Sequence, residues 1–250
     1  WQPSQSPPQI TPSQAAHSLP LKELPPTAPV RPRIAVVIDD MGHNLHAPQA
    51  FLRLGLPLTY SVLPALPYSQ EVARLIEQAG QEYLIHLPMQ PEAYPATDPG
   101  PNPLLLRMDA AYTRARLVDY MGELPHAVGA NNHMGSAYTQ DAEHMGWVQD
   151  ELAARGLFFF HSRTIATNVP GQIAQQYGYR FLERDVFLDH DMAEAAVERA
   201  WQQTLRVARR HGQAIAIGHP HDATLRVLQR LFAQGQPSDV EMVPLTALLR

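Results

Sequence analysis

The chain has 250 residues, 45% of them apolar and 17% charged, with a net charge of −5. That length allows one sizeable core, and the acidic balance argues against nucleic acid as the main partner, since a phosphate binder carries a basic patch. There is no cysteine, which excludes a disulfide framework, a thiolate metal site and a cysteine nucleophile, and no apolar run reaches the roughly 18 residues of a membrane-spanning helix.

Residues 1–32 hold nine prolines and only three charged residues, Lys22, Glu23 and Arg31. Such a stretch buries too little apolar surface to offset its ordering entropy and reads as an extended linker. The opening residues lack the basic and apolar regions of a signal peptide. With Trp1 at the start, an upstream export segment is expected to have been removed or left out. From residue 33 the pattern changes. Ile34–Ile38 is a continuous apolar run of strand length, as in a parallel strand buried on both faces. A short helix near 47–54 and a strand at 58–62 follow. From Ser69 a helix carries Val72, Leu75, Ile76 and Ala79 on one face and stops at Gly80. A strand at 82–85, a proline-rich loop over 87–108 and a helix near 112–122 come next. Strands at 127–130 and 157–160 flank a helix at 141–154. A helix near 169–177 leads to a weak strand near 179–182. Helix 191–210, strand 213–217, helix 222–233 and a strand near 240–243 complete the chain. Strands alternating with helices predict right-handed βαβ units and a parallel sheet. Seven or eight units in this length suit a closed or nearly closed β/α barrel over residues 33–250.

In such barrels the site lies on the loops after the strands. Asp39-Asp40 follow the first strand, His86 to Pro91 the third, Asn131 to Ser136 the fourth, His161-Ser162-Arg163 the fifth and Gly218-His219-Pro220-His221 the late one. Five strand ends thus deliver carboxylates, imidazoles, amides and an arginine to one face. Each has a plainer alternative. The aspartates could cap a helix, His86 could be a satisfied core histidine, His133 could serve a turn, His221 could cap the next helix and Arg163 could be an ion-pair partner. Two adjacent carboxylates behind an apolar strand repel, however, unless a cation or proton separates them. Imidazole and carboxylate are the ligands of zinc and neighbouring divalent ions. With a carboxylate base and a histidine acid beside it, such an ion suits hydrolysis of an amide or ester.

Four segments in order, Arg33–Met41 (RIAVVIDDM), His86–Pro91 (HLPMQP), Asn131–Ser136 (NNHMGS) and Ile217–His221 (IGHPH), together resemble the divergent polysaccharide deacetylases. These are a remote branch of the NodB-homology carbohydrate esterases. The resemblance spans about 33–248. It implies a distorted (β/α)7-8 barrel, a periplasmic or otherwise extracytoplasmic place, a divalent metal such as zinc and a polysaccharide or peptidoglycan-type glycan as substrate. Carried over residue by residue, it implies Asp39 as base, Asp40 and His86 as metal ligands and His219 as general acid. The better-known relatives have a second histidine four residues after the first, where this chain has Gln90. His133, from the next strand end, is the candidate to complete the ligand set. Asn132, Arg163, His221 and Gln90 are candidates for substrate contact. The expected function is metal-dependent deacetylation of an envelope polysaccharide. The alternative is a carbohydrate-binding or regulatory protein of weak or no activity on the same barrel, motivated by Gln90. The sequence leaves the oligomeric state open.

Overall fold

A computed structural model describes residues 31–233, 235, 237 and 239–249. The linker expected over 1–32 therefore lies outside the described residues, apart from 31 and 32. The first half alternates β1 (Arg33–Met41), α1 (His46–Leu52), β2 (Thr59–Val62), α2 (Ser69–Gln78), β3 (Glu82–Met89), α3 (Ala110–Glu123) and β4 (Gly129–Met134). The second runs α4 (Ala142–Ala153), β5 (Phe158–His161), α5 (Val169–Tyr177), β6 (Phe181–Glu183), β7 (Val186–Phe187), α6 (Glu194–His211), β8 (Gln213–Gly218), α7 (Asp222–Phe232) and β9 (Glu241–Met242). The strands lie in the order β6-β5-β4-β3-β2-β1-β8-β7, with β9 also beside β1. Every pairing is parallel. The sheet curls into the distorted (β/α)7-8 barrel that the alternation predicts.

The two ends of the curl are β6 and β7, which are consecutive in the chain. The backbone itself crosses the gap between them. Arg184 N–H donates to the His161 carbonyl on one side, and Asp185 N–H donates to the Ile215 carbonyl on the other.

The period-two alternation of the strands makes two separate cores. Ile34, Val36 and Ile38 point outward and pack with Phe51, Val72, Ile76, Leu117, Val148, Trp201 and Val227 of the helices. Ala35 and Val37 point into the curl with Leu84, Phe158, Phe160, Ile215 and Ile217. Val243, Leu245 and Leu248 plug the floor of that inner core. Leu245 N–H donates to Thr59 Oγ1 and Thr246 N–H to Glu82 Oε1, so the plug's backbone is paired to the sheet. The opposite, C-terminal mouth is left for polar groups.

Three elements differ from the sequence reading in ways that matter at the mouth. β3 runs on to Met89 and β4 runs from Gly129 to Met134. Asn131, Asn132 and His133, read as a turn, are strand residues paired with His86, Leu87 and Pro88. Pairing with a neighbour overrides their weak strand preference. The two-residue β7 was not anticipated, because two residues show no period.

Candidate active site

Alternation along β1 carries Ala35, Val37 and Asp39 to the inside of the curl. It would point Asp40 outward, among the helices. Asp40 instead adopts a left-handed φ of +58°, and the register with β2 shifts between Ile38 and Met41. This bulge brings both carboxylates to the mouth. His86 on β3 and Asn131 and His133 on β4 share the inward face by the same alternation. Gly135, at φ +84°, turns the chain immediately after them.

Asp40, His86 and His133 meet at one point. Asp40 Oδ1 lies 3.1 Å from His86 Nε2 and 2.9 Å from His133 Nδ1. The two histidine nitrogens are 3.3 Å apart. Donors around an ion with bonds of about 2.1 Å sit about 2.9 to 3.4 Å from one another, so the three atoms have the spacing of one face of a coordination shell. Their chemistry, two imidazoles and one carboxylate, suits a divalent transition ion. His86 Nδ1 is 2.9 Å from Asn131 Oδ1, which leaves the other ring nitrogen as the one that could hold an ion. Burial alone would raise the Asp40 carboxyl, but hydrogen bonds to His133 and His86 outweigh it and hold the group far below the usual carboxylate range. The site is thus arranged to keep an anionic ligand.

Asp39 is 2% exposed. Its Oδ1 accepts from Asn131 Nδ2 at 2.9 Å, and its Oδ2 is 3.7 Å from His86 Nε2. It is a carboxylate beside the Asp40, His86 and His133 cluster with one oxygen turned toward it. His219 stands on the other side, with Nε2 4.0 Å from Asp40 Oδ2. Its Nδ1 lies 2.9 Å from Asp189 Oδ1. Burial opposes the imidazolium, yet the Asp189 hydrogen bond and the Asp39, Asp189 and Asp40 carboxylates push it up to about 9. These contacts favour the protonated imidazole, which faces the Asp39 carboxylate across the Asp40, His86 and His133 cluster.

The remaining predicted residues lie around this centre with other tasks already in hand. Gln90 does not reach the triad. Its Oε1 accepts from Leu106 N–H, its own N–H donates to the Leu104 carbonyl, and its carbonyl accepts from Ala137 and Tyr138. It knots three loops together. Asn132 is 1% exposed and clamps the β4 and β5 ends, accepting from Ser162 N–H and donating to the Met134 carbonyl. Arg163, at φ +54°, reaches Glu183 at 3.8 Å. His221 precedes α7, makes no side-chain cap and lies with its ring 5.9 Å from that of His219. Together with Asp40, Met41, His43, Asn44 and Pro220 it lines a cavity of about 230 Å³ beside the triad. The sequence reading brought Asn131 and Ser162 to the strand ends without giving them a role, and it missed Asp189 and Arg184. Ser162 Oγ accepts from Asn131, and Arg184 donates to the Ser162 and Arg163 carbonyls. Of the two missed residues only Asp189, in Asp189-His190-Asp191, carried a visible signal, and no strand was assigned before it.

Comparison with known proteins gives the family and the fold. The model of the divergent polysaccharide deacetylase family matches residues 36–249. An uncharacterized protein of Haemophilus influenzae is 37% identical over 218 residues, 87% of this chain and 77% of that protein. The crystal structure of an uncharacterized protein from Agrobacterium tumefaciens superposes with a TM-score of 0.83 at 26% identity, covering 90% of this chain and 92% of the other. More distantly, the catalytic domain of a peptidoglycan N-acetylglucosamine deacetylase from Eubacterium rectale shares the fold, with a TM-score of 0.51 at 13% identity over 88% of this chain and 90% of that one. The chain belongs to the divergent polysaccharide deacetylase family.

Proposed function

We propose that the chain is a metal-dependent hydrolase that removes acetyl groups from an envelope glycan outside the cytoplasm, with zinc as the ion. The observation that carries this reading is the convergence of Asp40, His86 and His133, with mutual distances of 2.9–3.3 Å, between the Asp39 carboxylate and the His219 imidazole. A family of polysaccharide deacetylases supports the substrate class. The proline-rich start and the lack of cysteine fit an extracytoplasmic protein.

When bound, the ion supplies Lewis acidity for the acetyl carbonyl and acidifies a water. Asp39 takes the proton of the attacking water, since its Oδ2 faces the ligand set while its Oδ1 is held by Asn131. As the C–N or C–O bond to the sugar breaks, His219 gives its proton to the leaving nitrogen or oxygen. Asp189 holds the imidazolium in place for that transfer. Acetate and a free amine or hydroxyl result. The cavity between Asp40 and His221 offers room beside the reacting group for part of the sugar.

The test is acetate release from acetylated glycans, peptidoglycan included, with zinc, cobalt or manganese present. Asp39→Asn should keep the metal and lower kcat by about 10²–10⁴-fold. Glycan binding with metal bound and no acetate released from any substrate would replace the enzyme with a binding protein on the same barrel.

A further inference from the structure

Asn131 is 0% exposed and stands at the centre of β4, directly opposite His86 in the β3–β4 register. Its two amide atoms point to different members of the site. Oδ1 accepts from His86 Nδ1 at 2.9 Å. Nδ2 donates to Asp39 Oδ1 at 2.9 Å and to Ser162 Oγ at 3.1 Å. One planar group thus holds a metal ligand by its acceptor end and the base by its donor end.

From this we infer that Asn131 is a positioning residue that sets the His86 ring for the metal and the Asp39 carboxylate for the water in a single rigid unit. The inference rests on the metal-hydrolase reading above and deepens it. The choice of side chain follows from the demands of the position. His86 must keep its proton on Nδ1 so that Nε2 presents a lone pair to the ion, which requires an acceptor. Asp39 must stay anionic with one oxygen occupied and the other turned to the ligand set, which requires a donor. An aspartate at 131 would meet the first demand and fail the second by setting two carboxylates against each other. A leucine would fail both. Only a short amide carries an acceptor and a donor in this geometry, and the Asp39 carboxylate, which only accepts, fixes which way round the amide lies. Arg184 holds Ser162 in turn through its carbonyl.

Two substitutions separate the two ends of the amide. Asn131→Asp keeps the acceptor for His86 and loses the donor for Asp39. Its metal affinity, measured by chelator competition with zinc, should stay within about threefold of wild type, while kcat at saturating zinc falls about 10²-fold. Asn131→Ala loses both ends, and its zinc affinity should fall about 10–100-fold as well. A protein whose Asn131 served only packing would lose stability in both variants without this split. Wild-type zinc affinity in Asn131→Ala, or wild-type kcat in Asn131→Asp, overturns the inference. Ring-nitrogen NMR of the metal-free wild-type protein gives a readout free of metal and turnover. His86 Nδ1 should carry a proton facing Asn131 Oδ1, and an unprotonated Nδ1 would overturn the proposal even if neither variant folds. Should the protein bind no zinc and release no acetate, while His86 Nδ1 still carries its proton and Asn131→Ala loses it, the function fails and the positioning role stands.

Discussion

Asp189, just beyond β7, and His219, just beyond β8, are joined twice: Nδ1 of the imidazole lies 2.9 Å from Oδ1, and the His219 backbone N–H donates to Oδ2 at 2.6 Å. Thr224 donates its hydroxyl to the same Oδ2, so the carboxylate is fixed before it orients the ring. With the imidazole pushed up to about 9, above its ordinary 6.5, its contribution to stability is lost as pH rises through 9, while that of the Asp189 carboxyl, held below its ordinary value, is lost only in acid.

The same bond sets a prediction for activity. His219 acts as an acid, so turnover falls as pH rises through its pKa. Asp189→Asn keeps the shape and removes the charge. The basic limb of the kcat profile should move to lower pH by about one unit or more, with the acidic limb unmoved. Profiles of wild type and variant that coincide on the basic side would remove Asp189 from this role.

His133 and Gln90 make opposite predictions about the metal. His133 Nδ1 is 2.9 Å from Asp40 Oδ1, so His133→Ala should cost at least about 10–100-fold in zinc affinity. Gln90 Oε1 is spent on Leu106 N–H. Gln90→Ala should therefore leave zinc affinity unchanged within about threefold and lower stability by about 1 kcal/mol through the lost loop bond. Nor should Gln90→His rescue His133→Ala, because that side chain points into the loop knot. Calorimetric titration with zinc decides all three.

The contrast between these residues shows what the sequence discloses. Strand ends were legible because Ile34–Ile38 and Ala214–Ile217 are apolar runs, and whatever follows such runs lands on one face of a barrel. Asp39, His86, His133 and His219 could be gathered in that way. Asp189 could not, because Val186-Phe187 is too short to declare a strand. Asn131 was placed at a strand end but its role was hidden for a different reason: its position inside the strand comes from pairing with His86, not from its own preference. The inward turn of Asp40 depends on a single left-handed residue, which no alternation rule foresees. Gln90 shows the converse, since its place in a motif suggested the site while its hydrogen bonds lie in the scaffold.

Two glycines should respond in opposite directions to alanine. At Gly135, φ is +84° and an added Cβ would lie 2.9 Å from Met89 Cβ. Left-handed strain and overpacking together should cost about 2–4 kcal/mol. Because the turn follows His133 by two residues, zinc affinity should fall with it. Gly146, inside α4, has nothing within 4 Å of the added carbon. Alanine there should gain about 0.5–1 kcal/mol from helix preference alone. Urea unfolding of the two variants compares them directly.

His161 closes β5 in the opposite electrostatic state from His219. It is 0% exposed, stacks on Phe159 with ring centroids 6.4 Å apart, and among the described residues neither ring nitrogen has a hydrogen-bond partner. Burial, with the Arg163 and Arg184 charges adding to it, lowers the imidazole to about 4. The folded ring is neutral where the unfolded one, at about 6.5, takes up a proton. Stability from this site is therefore whole above about pH 6.5 and is lost as pH falls toward 4. The gap between the two values amounts to about 3 kcal/mol. His161→Leu removes both the titration and the unpaired nitrogens at similar volume. It should be more stable than wild type by about 1 kcal/mol at pH 7, and the advantage should widen as pH drops to 4. Other carboxylates titrate in the same window, so the informative quantity is the difference between the two proteins' urea unfolding curves at each pH. A difference that stays constant from pH 7 to 4 would mean that His161 finds a partner for its proton in the folded state.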